Sequence, residues 1–160
     1  LKVYSNGEIN YTLKGIHAKA SVIWNFEAPE GAGDTHYSIM RGTLCDLIIR
    51  QGAEQGFKPT LYIETSMKEG IEEFTAKLEK AVNQDLNSTY PGIKLVKTGD
   101  KKWSVEIPDQ YKVGHEAHFG QVTSKYLDFL KSGNMPEWEV PNMIVKYYTT
   151  TEGMKAAMMQ

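Results

Sequence analysis

Between Ala18 and Phe26 the side chains alternate in character. Ala18, Ala20, Val22, Trp24 and Phe26 share one side; Lys19, Ser21, Asn25 and Glu27 share the other, with Ile23 the exception. A period of two residues marks a strand with one buried face, because successive side chains of an extended chain point to opposite faces. The stretch predicts a long strand crossing a wide, twisted sheet. Glu8 to Leu13 alternates in the same way. Pro29 to Asp34 is rich in turn formers and predicts a loop. Thr35 to Met40, Leu44 to Gln51 and Pro59 to Glu64 predict further strands, broken at Gly42-Thr43 and at residues 52–58. Connections this short favour antiparallel pairing.

From Lys68 the period changes to that of a helix. Ile71, Phe74, Leu78, Ala81 and Val82 recur on one side, with Glu72, Glu73, Lys77 and Lys80 opposite. Ile93 to Lys97 and Lys102 to Ile107 predict a hairpin around Thr98 to Lys101. Phe119, Val122, Tyr126, Phe129 and Leu130 predict a second helix ended by Gly133. Pro136 and Pro141 bracket a predicted extended link through Trp138, with a last helix from about Asn142. Strands first and helices after predict an α+β fold: an open, mainly antiparallel sheet with helices packed on one face. The other sheet face must then be solvated or covered by a partner. Ile23 on the polar side, and nine tyrosines, point to self-association through that face.

A chain of 160 residues fits a single domain, spanning residues 1–160. Its net charge of -2 argues against a broad nucleic-acid footprint and gives no electrostatic reason to sit on an anionic membrane. Runs such as Leu47-Ile48-Ile49 are far too short to span a bilayer. A single cysteine, Cys45, allows no intramolecular disulfide and no thiolate metal cluster. It suits a reducing compartment such as the cytoplasm, while export stays open because Leu1-Lys2-Val3-Tyr4 has no initiator methionine.

The chemistry-bearing residues are few. His115-Glu116-Ala117-His118 places two imidazoles at a helix start, but three residues apart rather than in the H-E-x-x-H spacing, so no metal site is expected. Asp34-Thr35-His36 stands where a turn enters a strand, and an Asp there can orient an imidazole. Arg41 before Gly42 can pair with an anionic group, or serve as a solvated strand-end charge. Asp34, His36, Tyr37 and Arg41 cluster at one turn–strand junction and are the expected substrate-facing residues. His17 reads as a surface residue and Cys45 as an inert small core residue. Trp24, Trp103 and Trp138 are expected to pack in a core. Gly31-Ala32-Gly33 is not a dinucleotide fingerprint, because His36 stands where the third glycine belongs and a strand follows.

Four segments carry a family likeness: Asn6 to Gly15, Trp24 to Tyr37, Gly114 to Phe119, and Trp138 to Met143. They resemble the C-terminal domain of bacterial oxidoreductases in the glucose-fructose oxidoreductase, inositol dehydrogenase and MocA group. The likeness runs along nearly the whole chain. It implies a parent enzyme with an N-terminal Rossmann domain that binds NAD or NADP and oxidises a sugar or polyol by hydride transfer. It also implies that the C-terminal domain shapes the substrate pocket and commonly makes the dimer interface. The group's Glu-Lys-Pro lysine motif and its Asp-x-x-x-His pattern are both missing here, and Phe57-Lys58-Pro59 is the nearest echo of the first. No catalytic residue and no cofactor site are therefore carried over, and Leu1 is read as beginning inside the C-terminal domain. A stand-alone module that binds a small carbohydrate, or one that only dimerises, is the alternative reading.

Overall fold

A computed structural model describes residues 6–159; the opening Leu1-Lys2-Val3-Tyr4 lies outside them. The chain divides into two compact units, one of Ala28–Ala117 and the other of the preceding and following segments.

The larger unit holds an open antiparallel sheet of five strands. They are β3 (His36–Arg41), β4 (Asp46–Gln51), β5 (Thr60–Glu64), β6 (Lys94–Gly99) and β7 (Lys102–Glu106), in spatial order β3-β4-β5-β7-β6. Helix α1 (Ile71–Lys80) follows Gly70, which takes a left-handed φ of 70° that glycine adopts freely. The helix continues as a wider π-type segment, Ala81–Leu86, and a single turn, α2 (Asn87–Thr89). Leu78 and Val82 from this run pack with Ile63, Val105, Leu61 and Leu95 of the sheet, so one sheet face is covered. Trp103, only 1% exposed, lies on that face and meets Phe74. The fold is α+β, with the expected open antiparallel sheet.

The second unit pairs β1 (Gly7–Leu13) with β2 (Ile16–Val22) in a two-stranded sheet and adds helices α3 (His115–Ser132) and α4 (Glu139–Met158). Ile9, Tyr11 and Leu13 stand opposite Ala20, Ala18 and Ile16, so the alternation seen in the sequence does define a shared face. Gly153 on α4 admits Ile9 of β1 to close contact.

Three expectations need correction. The long strand does not cross a wide sheet: β2 ends at Val22 and, among the described residues, pairs only with β1. Asn6 is the reason, because its Oδ1 accepts the Trp24 N–H at 2.7 Å and its Nδ2 donates to Asn25 Oδ1 at 2.7 Å. These bonds hold the backbone after Val22 in a bend. The second correction is at Trp138, where an extended link was expected. Here α4 already begins at Glu139, and the Asn142 N–H donates to the Trp138 carbonyl. Pro141 falls in the first helical turn, where its missing N–H removes no intrahelical bond. Third, Trp24 and Trp138 are 72% and 54% exposed and do not share the core position of Trp103. Trp138 instead lies beneath the Lys125 ammonium, 5.2 Å from its ring.

Candidate functional site

The sheet register decides which predicted residues meet. Tyr37 stands opposite Arg50, Ile39 opposite Ile48 and Arg41 opposite Asp46. Ile48 and Asp46 in turn stand opposite Tyr62 and Glu64, and Glu64 opposite Lys102. Residues facing each other across an antiparallel ladder share a face. Tyr37 and Arg41 therefore lie on the same face as Arg50, Tyr62, Glu64 and Lys102, on the side away from α1, with Ile48 in its middle buried.

A charge network organises this face. Glu64 Oε1 accepts from Arg50 Nη1 at 2.9 Å and lies 3.2 Å from Lys102 Nζ, so one carboxylate oxygen serves both cations. Arg50 is in register with Thr60, not with Glu64, so its side chain runs along the strand to reach the acid. That path takes its guanidinium over the Tyr62 ring, 5.2 Å from the centroid, and Lys102 Nζ sits 4.6 Å from the same ring. The Tyr62 hydroxyl is fixed in turn by a donor from Gln55 Nε2 at 3.2 Å. Partial burial would raise the Glu64 pKa, but hydrogen bonds and positive charge from Arg50 and Lys102 outweigh it and hold the carboxyl below its ordinary value. The group thus stays ionised and holds both cations over the Tyr62 ring.

The other two expected residues are not part of this face. His36 alternates with Tyr37 and so faces the opposite side, in register with Gln51. Asp34 lies before β3, and its backbone carbonyl accepts from Gln51 Nε2 at 2.9 Å. The loop before β3 does meet the loop before β5, because a Cβ at Gly33 would sit 3.1 Å from the Phe57 side chain. Phe57 itself holds a positive φ of 58°, an uncommon state for a bulky residue.

Elsewhere the placements are plain. His17 is exposed and shares a hydrogen bond with Thr12 Oγ1 at 3.1 Å. Cys45 is half-buried beside the sheet core, and burial, with Asp46 nearby, pushes its thiol pKa up, away from nucleophile behaviour. Among the described residues no group of His, Cys, Asp and Glu could hold a metal ion. No helix among the described residues is long and apolar enough to cross a membrane. Gly31-Ala32-Gly33 leads into β3 rather than into a helix, so it offers no helix N-terminus to a pyrophosphate, and these residues do not fit a dinucleotide.

The chain belongs to the family described as "Putative oxidoreductase C terminal domain", whose model matches residues 1–158. It is similar, at 51% identity and a TM-score of 0.93, to a crystal structure of a "putative oxidoreductase" from Parabacteroides merdae. That match covers 99% of this chain and 36% of the other, so the chain spans little more than a third of its neighbour's length. Among curated proteins none matches.

Proposed function

We propose that the chain is the substrate-pocket and oligomerisation domain of an NAD- or NADP-dependent oxidoreductase acting on a sugar or polyol, and is inactive alone. It forms a single C-terminal domain whose cofactor binds in an N-terminal Rossmann domain. Family membership together with close similarity to a longer oxidoreductase chain carries the reading. Asp34, His36, Tyr37 and Arg41, where the loop before β3 enters the strand, are directed to the substrate, while the sheet face with Arg50, Tyr62, Glu64 and Lys102 is the self-association surface. The test is to titrate the full-length polypeptide and the 160-residue chain separately with NADH and NADPH, and then to assay the former on a polyol panel. Saturable binding and turnover by the full-length protein only are expected. Tight nicotinamide binding to the short chain overturns the assignment.

One observation favours a second reading, a carbohydrate-binding module: Trp24 and Trp138 present their rings at the surface, where sugars stack. Sugar binding that is lost in both Trp24→Ala and Trp138→Ala, with no nicotinamide binding to the full-length polypeptide, selects it.

A further inference from the structure

The two outer edges of the five-stranded sheet are built differently. Strand β6 carries Lys94 and Lys97, and its ladder with β7 shifts register between Lys97 and Gly99. Asn83 Oδ1 also accepts the Leu95 N–H at 3.0 Å. Lysines, an irregularity and a side-chain plug are devices that stop an edge from recruiting another strand. Strand β3 has none of them. Its sequence, His36-Tyr37-Ser38-Ile39-Met40-Arg41, contains neither Lys nor Pro, and its ladder with β4 is unbroken. Among the described residues no strand pairs with its outer side. Tyr37 and Met40 are 61% and 71% exposed.

We propose that β3 pairs antiparallel with β3 of a second copy about a two-fold axis through Ile39, joining the two sheets edge to edge. The chemistry of the strand sets the register. A two-fold perpendicular to the sheet keeps the same face upward in both copies, so opposed residues must have the same parity in the strand. Centring on Ile39 sets Ile39 against its own copy and Tyr37 against the partner's Arg41, at both ends of the ladder. A guanidinium over a tyrosine ring is an attractive pair. On the other face Ser38 meets the partner's Met40. Centring on Ser38 would leave Arg41 opposite Thr35, outside the strand. Centring on Met40 would set Ile39 against a charge and Tyr37 opposite Thr43, beyond the strand's end. The self-complementary register is thus the one that uses the strand from Tyr37 to Arg41.

This rests on the oligomerisation part of the proposed function but uses a different surface, the edge instead of the face. The test is cysteine cross-linking in the full-length polypeptide carrying Cys45→Ser. Directly opposed residues of an antiparallel pair have Cα atoms about 4.5–5.5 Å apart, within the roughly 4.4–6.8 Å a disulfide spans. Ile39→Cys is expected to give a disulfide-linked dimer under mild oxidation, at least several-fold more than Ser38→Cys, whose own copy lies two residues out of register. Adding Met40→Lys to the Ile39→Cys protein is expected to abolish the link, and Met40→Lys alone to shift sedimentation toward smaller species. Cross-linking by Tyr62→Cys without any by Ile39→Cys overturns the edge pairing and leaves face-to-face association standing. A monomer at every concentration overturns both.

Discussion

Phe74 of α1 meets Trp103 of β7 edge-on, with ring centroids 5.8 Å apart and planes inclined at 61°. The contact ties the helix to the covered face of the sheet, and Trp103 is the largest fully buried side chain among the described residues. Trp103→Ala is expected to lower unfolding stability by about 3–5 kcal/mol, as for other buried aromatics. Phe74→Leu keeps apolar contact and should cost less than half as much. Urea unfolding followed by far-UV circular dichroism measures both.

Glu64 links stability to pH through Arg50 and Lys102. Its folded pKa lies below the ordinary value of 4.5. The carboxylate's contribution is therefore fully present above about pH 4.5 and is lost as pH falls through the lower folded value. The side chains of Arg50, Glu64 and Lys102 are 30%, 33% and 38% exposed, so solvent screens the network. Glu64→Gln should cost about 1 kcal/mol at neutral pH. The gap to the natural protein should close as pH drops below 4.5 and narrow with added salt. A gap that stays constant down to strongly acidic pH would show that the network contributes nothing through charge.

This network was the part of the site hardest to read from sequence. Period-two alternation located the strands of the sheet, and helical spacing located α1, because both are local properties of the chain. Tyr37 and Arg41 were singled out by their position at a turn–strand junction, which is also local. Their neighbours Arg50, Glu64 and Lys102 come from three different strands, and only the register brings them over Tyr62. No rule of spacing says which charges meet. The early end of β2 was hidden for a similar reason: the Asn6 side chain that bends the chain at Trp24 comes from far along the sequence.

Gly153 sets how closely α4 and β1 approach. A Cβ there would lie 3.3 Å from Ile9 Cδ1, the flexible end of that side chain. Gly153→Ala gains up to about 1 kcal/mol of helix propensity, which the small shift of Ile9 largely offsets, so little net change is expected. Gly153→Leu has no such room and should cost about 1–3 kcal/mol by overpacking. Chemical denaturation of the pair decides the matter: equal behaviour of the two variants would mean that the contact does not constrain the packing.

Asn83 holds the β6 edge closed. Replacing it by alanine removes the acceptor for the Leu95 N–H and should cost about 0.5–1.5 kcal/mol. The local signature is more telling than the stability. Amide exchange at Leu95 should accelerate while Ile63, in the middle of the sheet, keeps its protection. Uniform acceleration across the sheet would point instead to a loss of global stability.

Gly42 closes the turn between β3 and β4, where its N–H donates to the Cys45 carbonyl at 3.0 Å. A Cβ at this position would lie 2.8 Å from that same carbonyl oxygen, an approach real Cβ atoms essentially never make. The obstacle is backbone, so it cannot swing aside as a side-chain tip can. Gly42→Ala must therefore open the turn or break its hydrogen bond, at an expected cost of about 1–3 kcal/mol. Because the turn fixes how Arg41 stands opposite Asp46, the damage should reach the sheet face away from α1 as well. Cross-strand proton contacts between residues 41 and 46, followed by nuclear magnetic resonance, should weaken in Gly42→Ala while those between Ile63 and Trp103 persist. Intact contacts at 41 and 46 with unchanged stability would show that the turn relaxes without strain, and that glycine is not required there.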